Sequence, residues 1–258
     1  MLTVQGVTVR RGGRALIEDH HWTVPDGAVT VVLGPNGAGK TTALKVLSGD
    51  LRPDAGQVWL NDRPLPDWPV QELACRRAVV PQAGALAFPF TVEEVVTMGR
   101  APHRRRSWAA RDAAVVADAL SATDLTALAQ RPYPGLSGGE KQRVHLARAL
   151  AQLDGAPDGQ RTLLLDEPTA ALDPAHQHQC MRLARRMADD GAAVAVILHD
   201  LALALRYADR LVLLRQGRVM AEGPVADTAT ADILSAVYDC PVRLLRVPGE
   251  ALPVVVTG

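Results

Sequence analysis

Residues 2–10, LTVQGVTVR, alternate between apolar and polar positions, which predicts a half-buried strand, and Gly12-Gly13 predicts a hairpin turn after it. HWTVPDG (21–27) leads into a second turn. VTVVLG (29–34) has a different pattern. It is a continuous apolar run, as expected of a strand buried on both faces of a parallel sheet, and TLLLDE (162–167) and AAVAVILHD (192–200) share that character. KTTALKVLSG (40–49) has helical periodicity. Residues 52–82 read as turns and strands, through RPDAGQVWLND and RRAVVPQ.

From about Thr91 to Leu150 the period turns helical. Thr91 with Glu94 forms a capping box that starts one helix. RDAAVVADALSATDL and GEKQRVHLARALAQL continue the pattern. A polar loop, 154–161, precedes the acidic strand. AHQHQCMRLARRMADDG predicts a helix that Gly191 ends, and LVLLRQGRVMAEG predicts a last hairpin turning at Gln216-Gly217. Strand–loop–helix alternation around a helical insert predicts an α/β core with a helical arm. The chain divides into a core lobe at about 1–82 and 155–225, an arm at about 83–150 and a C-terminal extension at about 226–258, all within a single domain.

Composition narrows the partners. The 258 residues carry 28 Lys plus Arg and 28 Asp plus Glu, so net charge is zero and nothing global favours nucleic acid. Cys75, Cys180 and Cys240 are scattered and odd in number, which fits a reducing compartment better than a disulfide framework. The first residues lack the pattern of a signal peptide, and no apolar run has membrane-spanning length. Any membrane role is expected to run through a partner.

The chemistry lies in three places. Residues 34–41, GPNGAGKT, match G-x-x-x-x-G-K-[ST] between a buried strand and a helix. Gly34, Gly37 and Gly39 let the backbone approach phosphate oxygens closely, and Pro35, Asn36, Ala38 and Thr42 complete the cradle. The helix start adds its positive dipole end. Lys40 is placed to reach the β- and γ-phosphates, and the Thr41 hydroxyl to ligate Mg²⁺. TLLLDEP ends a strand in two acids. Alternation sends Asp166 and Glu167 to different sides, so Asp166 addresses Mg²⁺ and Glu167 polarises the attacking water. LSGGEKQR (136–143) begins a helix with Ser137 as its N-cap, and Gly138 and Gly139 permit close approach of an anion.

With these motifs in order, joined by Gln82 in VVPQ, Ala171-Leu172-Asp173 and His199 in ILHD, nearly the whole chain resembles the ATP-binding subunits of ABC transporters. The resemblance implies a P-loop NTPase cassette: a RecA-like core, an antiparallel N-terminal β subdomain and the helical arm. It implies that Gln82 touches Mg²⁺ or the water, and that Ser137, Gly138 and Gly139 contact the γ-phosphate across a head-to-tail homodimer. Asp173 then lies at the dimer seam and His199 contacts the γ-phosphate. ATP and Mg²⁺ are the implied substrate and cofactor. Two integral-membrane permease subunits are the implied partners, with this subunit peripheral on the cytoplasmic face of the inner membrane.

LAFPFTVEEVVTMGRAPH (86–103), the loop 153–161 and the ending EALPVVV resemble the importer branch for haem, iron-siderophores and vitamin B12, most of all its haem ATPases. A periplasmic haem-binding protein then acts indirectly. A siderophore or cobalamin importer is the alternative, and a soluble ABC ATPase without a permease is a third reading. The family often stacks adenine on an early aromatic residue. Here Val9, Arg10 and Arg11 occupy that stretch, and either an arginine stacks on the base or both are solvated. His176, His178 and Cys180 read as a solvated helix rather than a metal site, which usually needs four ligands. The basic run His103–Arg106 reads as a solvated loop. Phe88 and Phe90 serve either arm packing or an interface.

Overall fold

Gly12 and Gly13, at φ 56° and 79°, fold strand β1 (Leu2–Arg11) back onto β2 (Arg14–Val24). The computed structural model describes residues 1–82, 88–103, 109–156, 160–247, 249 and 252–258. Leu86, Ala87, Arg104–Arg106 and parts of the 153–161 loop and of the ending EALPVVV lie outside the described residues. After β3 (Val29–Leu33) and α1 (Lys40–Leu47), β4 (Ala55–Leu60) and β5 (Arg63–Pro64) complete an antiparallel sheet in the order β2-β1-β4-β5.

The rest of the chain alternates helix and strand. It runs through α2 (Val70–Arg76), β6 (Arg77–Val80), α3 (Val92–Thr97), α4 (Ala109–Ala122), α5 (Gly138–Leu153) and β7 (Thr162–Asp166). Then come α6 (Pro174–Asp189), β8 (Ala193–Ile197), α7 (Leu201–Tyr207), β9 (Arg210–Arg215) and β10 (Arg218–Pro224). The second sheet has the order β10-β9-β3-β8-β7-β6, parallel except for the β9–β10 hairpin. The chain ends in α8 (Val225–Thr228), α9 (Ala231–Tyr238) and the hairpin of β11 (Val242–Leu245) and β12 (Val254–Thr257).

The continuous apolar runs have a plain cause. Every residue of β3, β7 and β8 is buried, because each strand feeds two cores. Val31, Leu163, Leu165, Val194 and Val196 face the core under α6 and α7. Val32, Leu164, Ala195 and Ile197 face the core shared with the antiparallel sheet and α1. A third cluster forms the arm, where Val92, Val95 and Val96 of α3 meet Val116 and Leu120 of α4 and Val144 and Ala147 of α5. The Thr91–Glu94 box caps α3, with Glu94 N donating to the Thr91 hydroxyl at 3.2 Å.

Three sequence expectations change. His103, read with the basic run as part of a solvated loop, is 5% exposed with its Nε2 2.8 Å from Gln152 O. Residues 70–76 are a helix, not part of a run of turns and strands. Pro69 sets its start and Glu72 lies one turn before Arg76, but at seven residues it is too short to show a 3.6-residue period. The 210–224 hairpin is also not the last one, since α9 buries Leu234 and Val237 in the core and β11–β12 follow.

The arm is fastened by one cation. Arg100 is 3% exposed; its Nε donates to Asp112 Oδ1 at 2.8 Å, and its NH1 donates to the carbonyls of Ala151 (2.6 Å) and Asp154 (2.8 Å). Those carbonyls lie at the C-terminal end of α5, where helical acceptors lack intrahelical donors and the dipole is negative. Arg100→Met is expected to lower unfolding free energy by about 3 kcal/mol, as for removing one partner of a buried ion pair. Arg100→Lys is expected to recover only part, because an ammonium has no planar fork. Chemical denaturation checks this, and an unchanged midpoint for Arg100→Met contradicts the fastening role.

Candidate functional site

The loop between β3 and α1 is squeezed by neighbouring backbone. At Gly34 (φ 148°) a Cβ would lie 2.1 Å from Leu214 O of β9. At Gly39 (φ 102°), the N-cap of α1, it would lie 2.8 Å from Leu16 O and 2.7 Å from Ile17 Cγ2 of β2. Gly37 (φ 77°) has open space around it, so there only the left-handed backbone calls for glycine. Asn36, Gly37, Ala38, Gly39, Lys40, Thr41 and Thr42 line an open cleft of about 260 Å³ together with Leu16 and Glu167. Pro35 lies at its edge, its carbonyl accepting from Ala38 N at 3.2 Å.

Lys40 is 6% exposed and its Nζ donates to Gly34 O (2.8 Å) and Pro35 O (3.0 Å). Burial lowers its pKa, and the charges of Glu167 and Asp166 partly restore it. Asp166, 8% exposed, has the opposite problem. Burial and then the neighbouring Glu167 push its carboxyl above the usual range, while Lys45, the Thr41 hydroxyl and Lys40 pull it back. Its Oδ1 is buried without a hydrogen-bond partner.

Glu167 departs from strand geometry. Alternation along a strand separates the two acids in the sequence reading, but β7 ends at Asp166 and Glu167 takes φ 47°, a left-handed conformation rare outside glycine. That turn, rather than pleat alternation, aims the carboxylate. Glu167 Oε2 accepts from Gln82 Nε2 at 2.6 Å, and Oε1 lies 2.5 Å from His199 Nε2. Gln82 follows β6, and His199 follows β8. The two strands flank β7, so three adjacent strand ends converge on one carboxylate.

Ser137, Gly138, Gly139 and Asp173 form a separate cluster and do not line the cleft. Ser137 N-caps α5, its hydroxyl accepting from Glu140 N (3.2 Å) while Glu140 Oε2 accepts from Ser137 N (2.7 Å). These bonds to Ser137 hold the Glu140 carboxyl below its ordinary pKa. Ser137 and Gly138 are exposed. A Cβ on Gly139 would lie 3.1 Å from Ala171 O, so the serine-glycine turn rests on the loop after Glu167. Asp173 N-caps α6, accepting from His176 N (3.0 Å) and bonded to His176 Nδ1 (2.8 Å).

Arg10 and Arg11 are exposed and lie beside carboxylates: Arg11 NH1 is 3.7 Å from Asp54 Oδ2 and Arg10 NH2 is 4.0 Å from Glu18 Oε1. Leu16 lines the cleft instead. No local signal marked it, because its place depends on β2 passing beneath the phosphate loop. His178 Nδ1 is 2.9 Å from the Tyr207 hydroxyl, and burial raises the Cys180 thiol to about 12. Phe90 packs on the arm core, whereas Phe88 is 67% exposed.

Comparison with known proteins follows the same motifs. A family profile described as ABC transporter matches residues 17–170. The hemin import ATP-binding protein HmuV of Pseudomonas putida is 52% identical over 257 residues, covering 100% of both chains. That of Rhodococcus jostii is 50% identical, covering 96% of this chain and 82% of its own. Among solved structures, an ABC transporter described as of metal-chelate type aligns with TM-score 0.82 at 26% identity, over 99% of this chain and 96% of that one. A dimeric bacterial ABC transporter cassette aligns with TM-score 0.75 at 26% identity, over 87% of this chain and 99% of that one.

Asp166 yields a test with a definite sign. Because folding raises its pKa, its charge opposes folding above the folded-state pKa, and that penalty fades as pH falls towards the ordinary value. Asp166→Asn is therefore expected to raise the nucleotide-free melting temperature by a few degrees at pH 7, with the gain disappearing in acid. Calorimetry across pH reads this, and a lower melting temperature at neutral pH contradicts it.

Proposed function

The chain belongs to the ABC transporter family, and we propose that it is the ATP-hydrolysing subunit of a haem importer. The observation that carries the catalytic part is the convergence of Gln82 and His199 on Glu167, at the mouth of the phosphate-loop cleft. ATP binds with its phosphates along residues 34–42, since Asn36–Thr42, the end of the loop and the start of α1, line the cleft. Lys40 meets the β- and γ-phosphates in exchange for the two loop carbonyls it now holds. Glu167 accepts the proton of the attacking water, and Gln82 and His199 fix its orientation.

Mg²⁺ fits the donors present. Thr41 offers a hydroxyl, Gln82 a side-chain carbonyl and Asp166 a buried carboxylate oxygen without a partner, all hard oxygen ligands. When bound, the ion neutralises charge on the phosphate oxygens. Burial first and the Glu167 charge second hold the Asp166 carboxyl above its usual range, a setting that a cation held by Thr41, Gln82 and Asp166 would offset.

The site is completed by a second copy. Ser137, Gly138 and Gly139 do not line their own chain's cleft, and Ser137 and Gly138 are exposed at the start of α5, which suits the γ-phosphate bound to a partner. Dimeric cassettes among the similar structures support this arrangement. Hydrolysis then removes the γ-phosphate contacts and releases the clamp.

No helix among the described residues is long and apolar enough to cross a membrane. The importer assignment, not that absence, supports a place for the subunit at the cytoplasmic face, held by two permease subunits, with a periplasmic haem-binding protein acting from the other side. Haem as cargo is supported by relatives named for hemin import that are 47–52% identical over nearly the whole chain.

Glu167→Gln is expected to bind ATP normally, stabilise the dimer and lose about 10³-fold in turnover. Normal hydrolysis by that variant removes Glu167 from its role. In a reconstituted complex with the permease, haem-loaded binding protein is expected to stimulate turnover. Stimulation by ferric siderophore or cobalamin instead reassigns the cargo.

A further inference from the structure

His20 is a fully buried imidazole with no part in the chemistry above. It lies on β2, in a core of Val7, Ile17, Trp22 and Ala43. Its Nε2 is 3.0 Å from Gly217 O, and its Nδ1 is buried without a partner. A carbonyl only accepts, so Nε2 carries the proton and Nδ1 is the bare nitrogen. An apolar side chain would fill this core without leaving a buried polar atom unsatisfied. The one hydrogen bond His20 makes is therefore the feature to explain.

That bond ends under the phosphate loop. Gly217 O accepts both from His20 Nε2 and from Glu18 N at 2.8 Å. Gly217 N in turn donates to Ala38 O at 3.1 Å. Ala38 N donates to Pro35 O, the carbonyl that also holds the Lys40 ammonium. The Gln216-Gly217 turn of the β9–β10 hairpin thus forms the floor of the cradle, and His20 holds that floor from the antiparallel sheet. The fit is close: a Cβ on Gly217 (φ 79°) would lie 2.8 Å from Leu16 O.

We propose that His20 is a positioning residue for ATP binding, its Nε2–H locking the Gln216-Gly217 turn so that Ala38 and the loop around Lys40 keep their nucleotide-binding shape. The proposal rests on the phosphate loop being the ATP site, and Lys40→Ala tests that separately.

The experiment measures ATP KM and kcat on the full chain, with nucleotide-free melting recorded for every variant. Glutamine carries an amide N–H at the reach of Nε2; asparagine does not reach so far, and valine has no donor. His20→Val and His20→Asn are expected to raise KM for ATP roughly five-fold, the effect of one net hydrogen bond, with kcat unchanged. His20→Gln is expected to restore wild-type KM. Should His20→Val fail to fold, the contrast between asparagine and glutamine carries the test alone. Wild-type KM in the donor-lacking variants overturns the proposal. So does an equal shift in all variants, which reduces His20 to packing, or a loss confined to kcat. If Lys40→Ala leaves ATP affinity unchanged, the assignment of the nucleotide site fails instead.

Discussion

The carbonyls of Leu16 and Leu214 close on the phosphate loop from two strands, at distances that admit no side chain at Gly39 or Gly34. Backbone pressed on backbone fixes the loop's path without reliance on flexible side chains. This contact also explains the architecture. Leu16 belongs to the antiparallel sheet and Leu214 to the mostly parallel one, so the cradle exists only when the two sheets pack together. The shared core containing Ile17, Val32, Ala43, Leu164 and Ile197 supplies that packing. Local shape at the nucleotide site is thus a consequence of tertiary burial.

The fold keeps charge under tension around this cradle. Lys40 is buried with its pKa lowered, and Asp166 is buried with its pKa raised beside Glu167. Each shift opposes the charged form that nucleotide chemistry uses, and burial is the largest cause of each. A polyphosphate with its metal would add opposite charge at both groups beyond what their protein neighbours already supply. Glu167 adds a backbone element, since its left-handed conformation sets it apart from the strand that delivers it. Such conformations persist where surrounding contacts over-determine them, as Gln82 and His199 do here.

Much of this was legible along the chain because the decisive signals are local. Continuous apolar runs marked the buried strands, and the Thr91–Glu94 capping box and the Ser137 N-cap marked the starts of α3 and α5. The spacing of Gly34, Gly39 and Lys40 marked the cradle. Signals that depend on distant partners were not legible. Leu16 lines the cleft only because β2 passes under the loop. The Gln216-Gly217 turn could be read as a hairpin, but nothing near it in sequence shows that Ala38 is its partner. Helix α2 was too short to show its period, and the aim of Glu167 was attributed to pleat alternation although a backbone reversal produces it.

One short segment ties together what sequence presents as separate motifs. From Glu167 the chain runs through two linked turns, Ala170 N donating to Glu167 O at 3.3 Å and Leu172 N to Thr169 O at 3.2 Å, before Asp173 caps α6. Gln177 Nε2 donates back to Thr169 O at 3.2 Å, bracing the segment against the helix it starts. The same segment carries the Ala171 carbonyl against which Gly139 packs. Glu167 and the serine-glycine turn of one chain are therefore two ends of a single braced connection, even though the proposed head-to-tail pair has them serve different nucleotides. Hydrogen-bonded turns and one close backbone contact join Glu167 to Gly139 through Pro168–Leu172. The glycine at position 139 belongs to that linkage whatever anion it meets, since a bulkier residue would push the turn away from Ala171.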